Sequence, residues 1–441
     1  MNISKNNQNE LFYINKGLSF LKQRKYNEAE ESYKKAIEIN PQNDSAYYNL
    51  GNIYQQQQKY KEALFNRLDN LGKYEIELES FENLVKKIGD SLYKEFFAST
   101  NSYNSEVNEI ISEIEKNNLK IVDSLYVNLI KLMISVNNFK YKSLVTKSDG
   151  IQKLYQYTSI NTLKSMLNLN TCCEDTNVNI RLYNTDYMND PDEGEFFINQ
   201  LKKRGNEGLL DSKYSVSHAF ISSLTLNKDD IPMWSMYGNN SKGVSIGFGN
   251  FPVAPILGDN SEDDLEESQE ISVDSDSDII ETKTPAYPYI EEKAKVYKVT
   301  YIDPYLEKSP EIEIFNKIIN SISVQLTKNK GIGNNLYDSI SKFISVELDR
   351  IKFLIKNKKY EYENEYRILQ MVKVLSINNS LIKYDSNNPK LYLEVDKIKL
   401  EEVIFGVNSD SCTLWRPVLE MKIPDINIEK INQSSIPLRY N

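Results

Sequence analysis

The segment Tyr360-Glu361-Tyr362-Glu363-Asn364-Glu365-Tyr366-Arg367-Ile368-Leu369 alternates between two kinds of side chain. The odd positions from Glu361 to Arg367 are all charged, and the even positions are aromatic or aliphatic apart from Asn364. Period-two alternation of this kind predicts a strand with one charged face and one apolar face. We therefore predict a strand over this segment, extending toward Val374.

The three glutamates of the segment would share one strand face, where like charges repel each other. Such a group is retained either where water screens it, with Arg367 as counter-charge, or where the carboxylates perform chemistry. A helix is the alternative local structure, because Glu363 and Arg367 would then be spaced i, i+4 and would attract each other.

The charge of the chain is concentrated in one region. The 441 residues carry a net charge of −10, and eleven acidic residues lie between Asp259 and Glu281 with no Lys or Arg among them. The rest of the chain is close to neutral and has no basic stripe, so we expect no nucleic-acid partner. The acidic residues predict a disordered surface insert over residues 258–285.

Histidine and cysteine are scarce, which limits the chemistry available. The chain has one histidine, His218, with no motif around it, and three cysteines without zinc spacing. We expect no metal site and a reducing compartment. No apolar run is long enough to span a bilayer, and the N-terminus has no signal-like apolar core, so we expect a cytoplasmic protein without a membrane partner.

Residues near the N-terminus repeat with a period of 34. Tyr13 and Tyr47, Gly17 and Gly51, and Ala29 and Ala63 are each 34 residues apart. Small residues where helices touch, with aromatic residues between them, are typical of a two-helix repeat. On these residues the region Glu10 to Leu64 resembles the tetratricopeptide repeat family, which implies a protein or peptide partner.

The second repeat departs from this pattern at its end, where Arg67 and Asn70 stand at an aromatic and a small position. Phe81 and Leu84 fall where Tyr33 and Ala36 fall, so another helix is expected there. We predict helical repeats over 10–88 and a helical connector over 89–148, because two repeats alone bury too little surface to be stable.

The remainder, residues 151–440, mixes strand and helix patterns. Strands are predicted at Leu154–Thr158, Asn179–Tyr183, His218–Leu224, 242–248, 293–301, Leu391–Val395, Val403–Val407 and Ile426–Ile431. Helices are predicted at 159–167, 231–238, 312–355 with a break at Gly331-Ile332-Gly333, and 413–421. The expected fold class is therefore all-α tetratricopeptide-like repeats followed by an α+β domain with a mixed sheet.

Several segments of this part resemble a large bacterial family of domains of unknown function. They are Leu154-Tyr155-Gln156-Tyr157-Thr158-Ser159, Asn189-Asp190-Pro191 with Glu193, Pro232-Met233-Trp234 with Tyr237, Gly243-Val244 with Ile246 and Phe248, Tyr362-Glu363 with Glu365-Tyr366-Arg367, and Ser435-Ile436-Pro437-Leu438-Arg439. Members of that family occur alone or behind tetratricopeptide repeats.

The order of these segments also resembles the mono-ADP-ribosyltransferase fold. The resemblance implies an early Arg or His, matched here by Gln156 or Arg181, a serine-bearing strand, matched by Ser222 and Ser223, and a late Glu-x-Glu. It makes Glu365 the catalytic carboxylate and Glu363 its helper, with NAD as co-substrate. A carboxylate near the ribose would stabilise the oxocarbenium-like centre that forms when nicotinamide leaves.

The other candidate ligand-binding side chains are Asn189, Asp190, Tyr157, Trp234, Tyr237 and Arg367. Tyr157 or Tyr237 would stack on nicotinamide. All of these except Tyr157 have a simpler interpretation: Trp234 and Tyr237 as core aromatics, Asn189-Asp190-Pro191 as a helix-start turn, and Arg367 as a counter-charge.

Three functions remain open at this point. The first is a repeat module that selects a target for an NAD-dependent ADP-ribosyltransferase. The second is a non-enzymatic interaction protein whose C-terminal domain is a sensor or effector. The third is a metal-dependent hydrolase or nuclease in which Asp190, Glu193 and Glu363 gather.

Overall fold

A computed structural model of the chain describes residues 3–40, 43–69, 75–88, 105–116, 122–146, 149–167, 177–187, 194–210, 218–250, 294–305, 309–328, 334–372, 382–384, 390–424 and 426–436. These residues fall into two compact units. The first unit holds residues up to 138 together with 334–339, and the second holds the remaining described residues.

The first unit is helical, as the sequence predicts. Its helices are α1 Ile3–Lys22, α2 Tyr26–Ile39, α3 Asp44–Gln56, α4 Tyr60–Asp69, α5 Leu78–Ile88, α6 Ser105–Lys116 and the first part of α7 Val122–Ser143. Each of the first four helices packs on the next along the chain. Asn43 caps α3 by accepting a hydrogen bond from the backbone N–H of Ala46 at 2.7 Å.

The repeat positions are buried where consecutive helices meet. Ala29, Tyr33 and Ala36 of α2 have no exposed surface. A Cβ atom on Gly17 of α1 would lie 2.8 Å from the ring of Tyr33, so only glycine lets the two helices approach this closely. The small and aromatic residues that define the sequence repeat are therefore the contacts between helices.

Replacing Gly17 with alanine is expected to destabilise the first unit by about 1–3 kcal/mol, because the added methyl group overpacks the buried Tyr33 ring. Gly51→Ala is the matched control. Its Cβ would meet the side-chain Oδ1 of Asn66 at 2.9 Å, which can rotate away, so a near-neutral effect is expected. Thermal unfolding followed by far-ultraviolet circular dichroism compares the two, and equal effects would contradict the argument.

The second repeat diverges at Arg67 because a polar network replaces an aromatic side chain there. Arg67 is buried; its Nη1 donates to Ser80 Oγ at 2.7 Å and its Nη2 to Gln55 Oε1 at 3.1 Å. Phe81 and Leu84 of α5 are buried, as expected from their match to Tyr33 and Ala36. The array thus continues past its second repeat with a changed set of contacts.

The second unit combines helices with a mixed sheet, which confirms the predicted fold class. Its strands are β1 Leu154–Thr158, β2 Asn177–Asn184, β3 His218–Thr225, β4 Val244–Gly249, β5 Lys295–Lys298, β6 Thr300–Ile302, β7 Ile355–Asn357, β8 Glu365–Val372, β9 Lys383–Tyr384, β10 Leu391–Phe405 and β11 Ile431–Gln433. Its helices are α8 Ile160–Met166, α9 Glu195–Leu201, α10 Ile231–Met236, α11 Pro310–Lys328, α12 Asn334–Lys352 and α13 Cys412–Lys422. Both α7 and α12 contain a boundary between the two units.

The main sheet closes on itself. Its order is β1-β4-β10-β2-β3-β8-β5, and β1 also pairs with β3 through Tyr155 and Thr225. Five strands therefore form a barrel-like ring, with β8 and β5 extending it from β3. Most pairings are antiparallel, whereas β10–β11 and the separate pair β6–β7 are parallel.

The two faces of this sheet have different environments. One face, which we call the core face, carries the large apolar cluster that includes Leu154, Phe220, Ile246 and Ile368, and Leu163 of α8 joins the same cluster. Because side chains alternate along a strand, neighbouring residues lie on the opposite face. There Tyr157 and Ile404 pack against Met233 and Trp234 of α10.

The predicted strand from Tyr360 is wrong over its first half. Residues Lys358–Glu363 form a 3₁₀ helix, and Asn364 adopts a left-handed conformation with φ of 45° before β8 begins at Glu365. Asparagine tolerates this conformation better than most residues, because its short polar side chain bonds locally. Glu361 and Glu363 therefore do not continue the face of Glu365.

Three other boundaries also differ from the sequence-based predictions. The two strands predicted at Leu391–Val395 and Val403–Val407 are one strand, β10, interrupted by register shifts. The strand predicted over 293–301 divides into β5 and β6, which belong to different sheets. The last strand, β11, begins at Ile431, where the predicted strand ends. The acidic insert at 258–285 and the break at 331–333 lie outside the described residues.

Candidate functional site

The charged residues of β8 form a buried ion pair on the face opposite the core. Nε of Arg367 donates to Oε1 of Glu365 at 2.7 Å, and Nη2 donates to Oε2 at 3.0 Å. Arg367 has no exposed surface, and Nη1 also donates to the backbone carbonyl of Phe353. The guanidinium is thus held in a fixed orientation, and it fixes the carboxylate in turn.

Lys356 of β7 joins a second carboxylate to this pair. Its Nζ lies 3.0 Å from Oε2 of Glu365 and 2.7 Å from Oε2 of Glu363. The other oxygen of Glu363 accepts a hydrogen bond from the hydroxyl of Tyr237 at 2.6 Å. Two carboxylates and two cations therefore form one network, which we call the carboxylate cluster: Glu363, Glu365, Lys356 and Arg367.

The turn before β8 brings the two carboxylates together. The 3₁₀ helix begins where Asn357 accepts a hydrogen bond from the backbone N–H of Lys359, and it ends at the left-handed Asn364. Thr225 Oγ1 donates to the carbonyl of Glu363 at 2.6 Å, and Tyr301 Oη accepts from the N–H of Glu365 at 2.9 Å. Backbone contacts on both sides of Asn364 thus hold the turn.

Electrostatics keep Glu365 ionised. Burial raises the pKa of this carboxyl, but the charges of Arg367 and Lys356 outweigh burial and lower the pKa from 4.5 to about 2. Burial and the hydrogen bond to Glu363 raise the pKa of Tyr237 above its usual range. Tyr237 therefore remains a protonated hydrogen-bond donor at neutral pH.

One edge of the carboxylate cluster reaches the surface. Ser223, which is exposed, hydrogen-bonds to the buried carboxylate of Glu365. Tyr237 is 42% exposed although its hydroxyl reaches Glu363. A ligand at this edge would meet a serine hydroxyl and an aromatic ring, each hydrogen-bonded to a carboxylate of the cluster.

Trp234 and Tyr157 lie on the same face of the sheet as the carboxylate cluster, but their rings pack against each other. Their ring centroids are 4.8 Å apart in an edge-to-face arrangement, and Trp234 is fully buried. Nε1 of Trp234 donates to Asp229 at 2.6 Å, and Tyr157 Oη accepts from the N–H of Asp230 at 3.0 Å. Both therefore hold α10 on the sheet, as the simpler interpretation predicts for Trp234.

The predicted ligand-binding residues divide between the two faces of the sheet. Ser223 and Arg367 are opposite each other in the β3–β8 register and share the face of Glu365. Ser222 pairs with Ile368, so it lies on the core face, where Gln156 Nε2 donates to its hydroxyl at 3.0 Å. Gln156 and Ser222 therefore do not adjoin the carboxylate cluster. Asn189, Asp190 and Glu193 lie outside the described residues.

A second buried carboxylate was not predicted from the sequence. Glu402 of β10 accepts a hydrogen bond from Tyr155 Oη at 2.9 Å and lies 2.5 Å from Nζ of Lys228. Burial raises its pKa, but the contacts with Lys228 and Tyr155 lower it further than burial raises it. Glu401-Glu402 carries no motif, and neither does Lys356, so only the register of distant strands could reveal these groups.

Two further properties concern the described residues alone. Within them, no set of three or more His, Cys, Asp or Glu side chains is arranged to hold a metal ion. None of their helices combines the length and the apolar character that crossing a membrane requires.

Comparison with known families gives two partial matches. A family model described as TPR repeat matches residues 17–58, and a model described as Protein of unknown function (DUF2971) matches residues 233–368. No curated protein and no solved structure matches the chain. A TPR repeat therefore lies near the N-terminus, and a DUF2971 domain in the C-terminal part contains the carboxylate cluster.

Proposed function

We propose that this chain is a two-part effector in which the helical repeats bind a protein or peptide and the C-terminal domain transfers ADP-ribose from NAD at the carboxylate cluster. The observation that carries the proposal is the pair of buried carboxylates, Glu363 and Glu365, that share Lys356 beneath an exposed serine and tyrosine. Within the proposal the nucleotide lies over Ser223 and Tyr237.

The chemistry assigns a different role to each carboxylate. When the bond between nicotinamide and ribose breaks, nicotinamide departs with the bonding electrons and positive charge develops on the ribose. Glu365, ionised because of its low pKa, would stabilise that charge. The acceptor nucleophile then forms the new bond and releases a proton, which Glu363 would accept as the base. Each carboxylate oxygen can accept a second hydrogen bond, so the existing contacts leave this role available.

The repeats support the interaction half of the proposal. Tetratricopeptide-type arrays expose extended surfaces for peptides, and here Leu11 and Phe12 of α1 and Tyr48 of α3 are about half exposed. Large apolar side chains at the surface of a repeat array are the contacts that a peptide partner would cover.

The experiment is NAD turnover by the full chain, measured as nicotinamide release, with Glu365→Gln beside the wild type. We expect a loss of about a hundredfold or more, the usual effect of removing one group that stabilises transition-state charge. Glu361→Gln is the matched control, because Glu361 is exposed and lies on the 3₁₀ helix of the same segment.

Two results would overturn the assignment. The first is no binding of NAD at millimolar concentration by the folded wild-type chain. The second is equal nicotinamide release by the wild type and Glu365→Gln. Tyr237→Phe is a second test in case Glu365→Gln does not fold. It removes only the hydroxyl at the exposed edge and should still lower NAD turnover.

A non-catalytic C-terminal domain is the alternative, and one observation favours it. The four members of the carboxylate cluster balance in charge, and all are buried or nearly so. The role of such a balanced buried network can be purely structural, with its contacts joining β7, β8 and the end of α10. Under this alternative the repeats carry the function: Leu11→Asp with Tyr48→Asp abolishes partner capture, and Glu365→Gln leaves capture unchanged.

A further inference from the structure

A second polar group lies on the core face of the sheet, on the opposite side from the carboxylate cluster. Gln156 of β1, Ser222 of β3 and Asn184 of β2 all lie on this face. Asn184 is directly opposite Phe220, and Ser222 is two residues further along the same strand. The Cα atoms of Asn184 and Ser222 are therefore diagonal neighbours, about 7–8 Å apart.

Two atoms of this group are buried without a hydrogen-bond partner. They are Oε1 of Gln156, an acceptor, and Nδ2 of Asn184, a donor. The rest of each amide is engaged: Gln156 Nε2 donates to Ser222, and Asn184 Oδ1 accepts from the N–H of Asp186 at 2.8 Å. Buried amide atoms almost always have partners, so two orphans on one face of the sheet require an explanation.

The surroundings restrict what could satisfy these atoms. Asn184 is 1% exposed, and the neighbouring residues Leu182, Phe220 and Leu224 belong to the apolar core. Among the described residues, the apolar cluster on this face contains no charged side chain. An ionised ligand would therefore be buried without a counter-charge, which is strongly unfavourable.

Strands β1 and β3 separate beside this polar group. They are bridged at Tyr155 and Thr225, and beyond that point the hydrogen-bonded partner of β1 is β4 alone. Gln156 is the first residue of β1 past the bridge, and it is partly exposed although its Oε1 is buried. The orphaned Oε1 of Gln156 therefore lies beside a stretch where β1 is paired with β4 and not with β3.

We propose that Gln156, Ser222 and Asn184 bind a small, neutral, planar molecule whose edge carries an N–H beside a carbonyl, as in a nucleobase or a cyclic amide. The N–H of the ligand donates to Gln156 Oε1. Its carbonyl accepts from Asn184 Nδ2 and from the hydroxyl of Ser222, whose own proton is free because Gln156 donates to its oxygen. The apolar side chains on either side contact the faces of the ring.

This site does not depend on the proposed NAD chemistry, because the two groups lie on opposite faces of the sheet. Variants of two adjacent serines distinguish the two sites experimentally. Ser222→Ala should weaken binding at the core-face site and leave nicotinamide release unchanged. Ser223→Ala should lower nicotinamide release and leave binding at the core-face site unchanged. Failure of one proposal is thereby distinguishable from failure of the other.

The test is calorimetric titration of the full chain with uracil, 2-pyridone and 1,3-dimethyluracil. We expect uracil and 2-pyridone to bind and 1,3-dimethyluracil, which has no N–H, to show no binding. Ser222→Ala and Gln156→Met should each raise the Kd about five- to tenfold, the effect of losing one neutral hydrogen bond. Ser223→Ala is the matched control and should leave the Kd unchanged.

Each contrary result overturns the proposal. No binding of uracil or 2-pyridone up to their solubility limits means that the orphaned amides hold only water. Equal binding of 1,3-dimethyluracil means that the N–H is not recognised. Equal Kd values for Ser222→Ala and the wild type, with both proteins folded by circular dichroism, place the bound molecule elsewhere.

Discussion

Replacing Arg367 with methionine is expected to lower the free energy of unfolding of the second, C-terminal unit by about 3–5 kcal/mol. Arg367 is fully buried and donates two hydrogen bonds to Glu365. Its loss leaves Lys356 as the one cation, among the described residues, that contacts both buried carboxylates. An uncompensated buried charge costs far more than the ion pair itself contributes.

The two tryptophans of the chain allow this effect to be measured in the intact protein. Trp234 and Trp415 both lie in the core of the C-terminal unit, so tryptophan fluorescence during urea unfolding reports on that unit. Arg181→Met is the control, because Arg181 is about one-third exposed and its nearest Glu394 oxygen is 3.7 Å away; it should cost less than about 1 kcal/mol.

A double variant distinguishes the cost of an unpaired buried charge from the cost of lost side-chain packing. Glu365→Gln combined with Arg367→Met removes both members of the pair and leaves Lys356 balanced by Glu363. The double variant should therefore be more stable than the sum of the two single effects predicts, because interacting residues are not additive. Additive losses would show that the pair is not coupled, contrary to its geometry.

The sequence predicts many elements of the C-terminal unit because their signals are local. The strand Leu154–Thr158 has the predicted bounds, and Ser159 caps the next helix by accepting a hydrogen bond from Thr162. The repeat helices are predictable for the same reason, since Gly17, Tyr33 and Ala36 act across adjacent helices. Short-range patterns and adjacent packing are therefore sufficient for these parts.

The site is less predictable because it depends on one backbone angle and on strand register. The alternation through Tyr360–Leu369 predicts one strand face for three glutamates, yet the left-handed Asn364 turns Glu363 toward Tyr237 and Lys356. Residues of adjacent number, such as Ser222 and Ser223, lie on opposite faces of one strand. A list of polar residues in sequence order cannot show which of them meet.

Acid is expected to remove about 3 kcal/mol of stability that Glu365 alone contributes. The folded pKa is about 2, below the ordinary value of 4.5, so the unfolded chain binds the proton more readily. The contribution is fully present above pH 4.5 and is lost progressively as the pH falls toward 2. At 1.36 kcal/mol for each pH unit, the difference between the two pKa values gives about 3 kcal/mol.

The measurement compares urea unfolding of the wild type with that of Glu365→Gln at several pH values between 7 and 2, again by tryptophan fluorescence. Glu365→Gln has no carboxyl to titrate at this position, so its stability should fall less with acid. The lowered pKa of Glu402 contributes to both proteins and cancels in the difference. Glu361→Gln should follow the wild type. Parallel curves for wild type and Glu365→Gln would mean that Arg367 and Lys356 do not stabilise the ionised carboxylate, and the electrostatic basis of the proposed site would be lost.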